Sequence, residues 1–82
     1  MSQEQTSLFD IEEIDTEVAR KTLKEVFKSL EERGYNPTNQ IVGYLISGDP
    51  GYISSYKECR TRITKLQREE IIELMLTNFI GK

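Results

Sequence analysis

The chain has 82 residues, 37% hydrophobic and 30% charged, with 11 Lys and Arg against 14 Asp and Glu and a formal charge of −3. That length supports one small core and excludes a second, and the acidic balance argues against phosphate-backbone binding, which asks for a basic excess. One cysteine, Cys59, and no histidine exclude an intramolecular disulfide and the mixed Cys/His zinc sites, so a partner subunit is the staple left to so small a core.

In chain order, residues 1–14 are polar and acidic, with scattered Leu8, Phe9, Ile11 and Ile14, which predicts a flexible acidic tail. The opening MSQEQTSLFDIEE lacks the basic start and continuous apolar stretch of a signal peptide, and no apolar run reaches bilayer length. A cytoplasmic protein without membrane insertion is expected. Asp15 or Thr16 then offers an N-cap, and Ala19, Leu23, Val26, Phe27 and Leu30 recur at three- and four-residue spacing as far as Arg33. This is the pattern of an amphipathic helix, and Gly34 marks its stop.

The stretch GYNPTNQIVGYLISGDPGYI, residues 34–53, holds both prolines and four of the five glycines. Asn36 before Pro37 reads as an N-cap and first helical residue, because proline pushes its predecessor out of the helical region and suits the first turn itself. The same marks return at Ser47-Gly48-Asp49-Pro50, where Gly48 ends the second helix and Asp49-Pro50 opens a short third one carrying Tyr52, Ile53 and Tyr56. Between them, Ile41, Val42, Tyr44, Leu45 and Ile46 cover most of the helix circumference. A helix apolar nearly all round is buried on more than one side, either at the centre of the core or against a second subunit. Gly43 in its middle fits the close approach of another backbone.

From Tyr56 to Phe79 the sequence favours helix, with Cys59, Ile63 and Leu66 on one stripe and Ile71, Ile72, Met75, Leu76 and Phe79 on another. Glu69 and Glu70 suit a first turn, which puts a break near Gln67 and Arg68. The expectation is an all-α protein, a compact bundle of four to five short helices over residues 15–80 behind the tail of residues 1–14.

Candidate chemistry is sparse. Gly48 and Gly51 flank a proline and precede no Lys-Ser/Thr pair, so they do not make a phosphate loop. Adjacent carboxylates such as Glu31 with Glu32 or Glu69 with Glu70 point in different directions on a helix. No nucleophile has a histidine base, and Cys59 on its apolar stripe reads as a buried, inert thiol. Neither catalysis, a metal site nor a cofactor is expected. Arg60, Arg62, Lys65 and Arg68 could share a helix face; the alternative function is therefore a small helix-turn-helix-like DNA-binding regulator, but the favoured reading is a solvated face paired with Glu58, Glu69 and Glu70. Tyr35, Tyr44, Tyr52 and Tyr56 cluster near residues 34–53, where amphipathic rings suit a groove or a subunit interface. In the tail, a phosphate on Thr6, Ser7 or Ser2 would add up to two charges beside Glu4, Asp10, Glu12 and Glu13, and repulsion could release a docked tail.

SLEERGYNPTNQIVGYLISGDPGYI, residues 29–53, resembles the signature of the IreB-type regulatory phosphoproteins, small bacterial cytoplasmic proteins. The resemblance continues through Arg60 to Ile63 and REEIIELM, and reaches back to Thr6 with Phe9 three residues after it. It implies an all-helical homodimer and a tail threonine, here Thr6, phosphorylated by a membrane-anchored Ser/Thr kinase that senses cell-wall state and dephosphorylated by a cognate phosphatase. It further implies a brake on envelope-stress responses and on beta-lactam (cephalosporin) resistance, acting through an effector the sequence does not name. Leu8 stands where a basic residue is common, Ile11 replaces a second tail aromatic, Gln3 lies near the place of a second threonine, and Cys59 falls where alanine is usual. Combined with the all-round apolar second helix, this assigns Ile41, Val42, Tyr44, Leu45, Ile46 and Tyr52 to the subunit interface.

Overall fold

The computed structural model describes the backbone of residues 2–81 and the side chains of residues 16–81. The side chains of the expected tail, with Thr6, Ser7 and Ser2, lie outside the described residues. The chain is all-α: α1 (Ser2–Glu32), α2 (Pro37–Ser47), α3 (Cys59–Ile63) and α4 (Arg68–Ile80), with single 3₁₀ turns at Pro50–Tyr52 and Tyr56–Glu58. No strand occurs among the described residues.

Local grammar sets the element ends. After α1, Gly34 takes φ +91°, its N–H donates to the Glu31 carbonyl (3.0 Å) and the Tyr35 N–H reaches back to Leu30 (3.0 Å), the paired bonds of a Schellman stop. Asn36 is extended at φ −94°, ψ 99°, and its Oδ1 accepts from the Asn39 N–H at 3.1 Å, satisfying one of the orphan donors of α2. Gly48, at φ +78°, closes α2 by donating to the Tyr44 carbonyl at 2.7 Å. Asp49 Oδ1 then accepts from Gly51 N–H at 2.9 Å, but the segment it opens is one 3₁₀ turn and not a helix reaching Tyr56, because Ile53 returns to extended backbone at φ −102°, ψ 130°. The break before α4 falls at Gln67, whose extended N–H meets the Glu70 carboxylate.

The core is one cluster drawn from every α-helix: Val26 and Leu30 of α1, Ile41, Tyr44 and Leu45 of α2, Ile53 from the connecting segment, Cys59 and Ile63 of α3, and Ile71 of α4, with Leu23 and Leu66 packed against it. Each such fully buried aliphatic side chain contributes about 1.5–3 kcal/mol. Two expected core aromatics are not there. Phe27 is 38% exposed and Phe79 86% exposed. In α4 the inward residues are Ile71 and Leu74, so of the expected stripe of Ile71, Ile72, Met75, Leu76 and Phe79 only Ile71 enters the core and the other four are turned to the surface. Three- and four-residue spacing joins Ile71 to Leu74 as well as to Met75, and packing against α1 selects Leu74.

Candidate functional site

The side chains that sequence reasoning assigned to an interface separate into two groups on opposite faces of α2. Ile41, Tyr44 and Leu45 turn inward and are at most 9% exposed, as part of the protein's own core. Val42 and Ile46 point outward, 44% and 79% exposed, one helical turn apart. Gly43 lies beside them, and what approaches it is not a backbone but the Tyr52 ring: a Cβ on Gly43 would sit 2.5 Å from Tyr52 Cδ1. Tyr52 is half-exposed. The result is an apolar surface of Val42, Gly43, Ile46 and the Tyr52 ring, with no charged side chain contributed by α2 itself.

α2 is fixed rigidly behind that surface. The Arg68 guanidinium, on the first residue of α4, donates to the Leu45 carbonyl at 3.0 Å and lies against Gly48, meeting the negative end of the α2 dipole. Gln40 Oε1 accepts from the Ser54 N–H at 2.9 Å, tying α2 to the segment that carries Tyr52. Neither contact has a sequence signature, since both join residues far apart in the chain.

The connection into α3 is strained. Lys57 and Glu58 both occupy the left-handed region, at φ 51° and 62°, with no glycine to relieve it. The surroundings hold it: Lys57 Nζ lies 2.9 Å from Glu32 Oε1, Arg60 Nε donates to the Ile53 carbonyl at 2.8 Å, and the Arg60 N–H donates to Ser54 at 3.1 Å. The hydrogen bond with Lys57 lowers the Glu32 pKa and raises that of Lys57, both side chains being about half-exposed. Arg33 and Lys57 each approach the Tyr56 ring to 5.6 Å from its centroid. Sequence reasoning missed this strained turn because a left-handed Lys-Glu pair carries no letter that announces it.

The basic run does not form a common face. Arg60 is bound to Ile53, Arg62 pairs with Glu25 across to α1, and Arg68 caps α2, leaving Lys65 without an ion pair among the described residues. The acidic partners are thus not Glu58, Glu69 and Glu70, and three of the four cations are committed to holding the fold. A helix-turn-helix reader needs such cations free for phosphates. Cys59 is fully buried with its thiol 3.8 Å from the Val26 carbonyl, and burial pushes its pKa up, away from the reactive thiolate. Among the described residues no group of three or more His, Cys, Asp or Glu could hold a metal, and no helix is long and apolar enough to cross a membrane. A depression of about 370 Å³ between α1 and the α3–α4 corner combines Val18 and Leu66 with Glu25, Arg62, Lys65 and Glu70 but brings no nucleophile and base together.

The described surface thus presents apolar helix faces and a tied-down loop. Compared with known protein families, residues 4–81 match the family described as IreB regulatory phosphoprotein. A UPF0297 protein of Acetivibrio thermocellus is 44% identical over 80 residues, which span 98% of this chain and 89% of that protein.

Proposed function

This chain belongs to the IreB family of regulatory phosphoproteins, and from that premise we propose that it is a non-enzymatic, cytoplasmic phosphoprotein switched at Thr6. The carrying observation is the family match beginning at residue 4, which includes Thr6. A membrane-anchored Ser/Thr kinase adds the phosphate, a cognate phosphatase removes it, and Ser7 and Ser2 are secondary acceptors. The chemical consequence is local. Up to two negative charges join Glu4, Asp10, Glu12 and Glu13 within one short segment, and like-charge repulsion redirects what that segment contacts. The downstream reading is control of the envelope-stress response and of beta-lactam, including cephalosporin, resistance through a protein effector.

The working unit is a homodimer joined through the outward face of α2. Support comes from the exposure of Val42 and Ile46 on a helix whose opposite face already fills the core, with the half-exposed Tyr52 ring of the following turn beside them. A small core gains from covering such a surface.

Site-resolved phosphopeptide mass spectrometry on protein from its native cell, with and without cell-wall stress, tests the switch. Phosphate on Thr6 that changes with stress is the expected result. Unmodified peptide under both conditions, or a Thr6→Ala strain with an unchanged envelope-stress phenotype, removes the signalling reading.

A further inference from the structure

α4 carries a second apolar face that the core does not use. Ile72, Met75, Leu76 and Phe79 succeed one another at three- and four-residue steps and are 46%, 40%, 60% and 86% exposed, with Ile80 continuing the row at 56%. Five large apolar side chains on thirteen helical residues, all turned from the inward pair Ile71 and Leu74, are far more than scattered surface hydrophobics. The helix is held firmly enough to present them. Arg68 is anchored on the Leu45 carbonyl at its start, Arg20 of α1 donates to Asn78 Oδ1 at 3.3 Å near its end, and Gly81 closes it with a bond to the Thr77 carbonyl at 2.9 Å.

The charge along this face is one-sided. Glu69 and Glu73, both exposed, stand one turn apart beside Ile72 and Leu76, and neither makes an ion pair or hydrogen bond among the described residues. The one basic residue of α4, Arg68, is already committed. Two occupants are disfavoured on that ground. A second copy of α4 brings no cation: paired antiparallel, it sets the acidic edges on the same side, and paired parallel, it offers them only apolar neighbours. An anionic membrane surface repels the same edge. We propose that the outer face of α4 is a docking helix for a different protein, one that offers an apolar groove with Lys or Arg along one rim. Ile72, Met75, Leu76 and Phe79 are the anchors in the groove, and Glu69 and Glu73 set orientation and partner choice. This goes beyond the phosphorylation reading and stands without it.

The test uses the full chain in its native cell, with the photo-cross-linker benzoylphenylalanine placed at position 79. The expected result is a cross-link to a protein other than this one, mapped by mass spectrometry to an apolar groove flanked by Lys or Arg. Its yield should fall about tenfold when Glu69→Lys and Glu73→Lys are combined, while the helical circular dichroism of the variant stays unchanged. Cross-links only to a second copy or to lipid, no cross-link at all, a captured site without basic residues, or a yield indifferent to charge reversal would each overturn the proposal. Phosphorylation of Thr6 is read separately by mass spectrometry of the tail, so failure here leaves that reading standing.

Discussion

Gly43 illustrates how a single missing Cβ shapes a surface. In an isolated helix, alanine in its place would gain roughly 1 kcal/mol of propensity. Here that methyl group would enter the Tyr52 ring, 2.5 Å from Cδ1 and 2.9 Å from Cε1. Gly43→Ala is therefore expected to bring no gain in urea denaturation of the otherwise natural chain, and to recover about 1 kcal/mol once Tyr52→Ala removes the obstacle. A gain of equal size in both backgrounds would show that the ring does not rest on Gly43. Cys59 makes a different point, about pH. Burial raises its folded pKa, so below the ordinary thiol range both states are protonated and the site is silent. As pH climbs past about 8.5 the unfolded chain loses this proton first, and stability declines. Comparing denaturation midpoints from neutral pH upward, the alkaline loss should be smaller in Cys59→Ala, at the expense of about 1 kcal/mol throughout from the lost sulfur contacts.

Among the elements, α2 is held differently at its two ends. Its N-terminus is self-sufficient, with Asn36 and Pro37 adjacent in sequence, and both were legible there. The C-terminus is not. Gly48 supplies the left-handed turn, but the Leu45 carbonyl is satisfied by Arg68, 23 residues onward. Arg68→Met keeps much of the stem and removes the charged donor, and should cost about 1–2 kcal/mol in thermal or urea unfolding, the range for a hydrogen bond to a charged group in partial contact with water. A loss no greater than that of a neutral surface substitution would mean the contact is incidental. The third expected helix shrank to one 3₁₀ turn for a related reason. Asp49 and Pro50 dictate how a turn begins, while its length is set by Ile53 leaving the turn to enter the core.

For the molecule as a whole, the distribution of apolar side chains is the informative quantity. The core holds nine buried residues in one cluster, and yet Ile46, Leu76 and Phe79 each stay more than half exposed. Among the described residues, α2 and α4 each keep an apolar face outside the core, and the two differ in character. The α2 face has no charged side chain from α2 itself, which suits self-association; the α4 face carries Glu69 and Glu73. Ile46→Glu should therefore convert a dimer to a monomer in light scattering at micromolar concentration, with dissociation strengthened by at least about a hundredfold because an unpaired carboxylate would be buried. A mass that is already monomeric before substitution would end the dimer reading.

What the sequence by itself determined is whatever depends on neighbours in the chain: the all-α class, the stops at Gly34 and Gly48, the caps at Asn36 and Asp49, the break at Gln67, and a buried Cys59. These follow from steric preferences and hydrogen bonds spanning a few residues. The family was legible too, because the Gly- and Pro-marked segment from 29 to 53 has a long and unusual spelling. The tertiary structure alone decided which of two apolar stripes on α4 faces inward, that Phe27 and Phe79 stay outside, and that Arg60, Arg62 and Arg68 serve three separate contacts. Periodicity records that a helix has an apolar side. It does not say which neighbour will cover it, because that depends on where α1 lies when the chain closes.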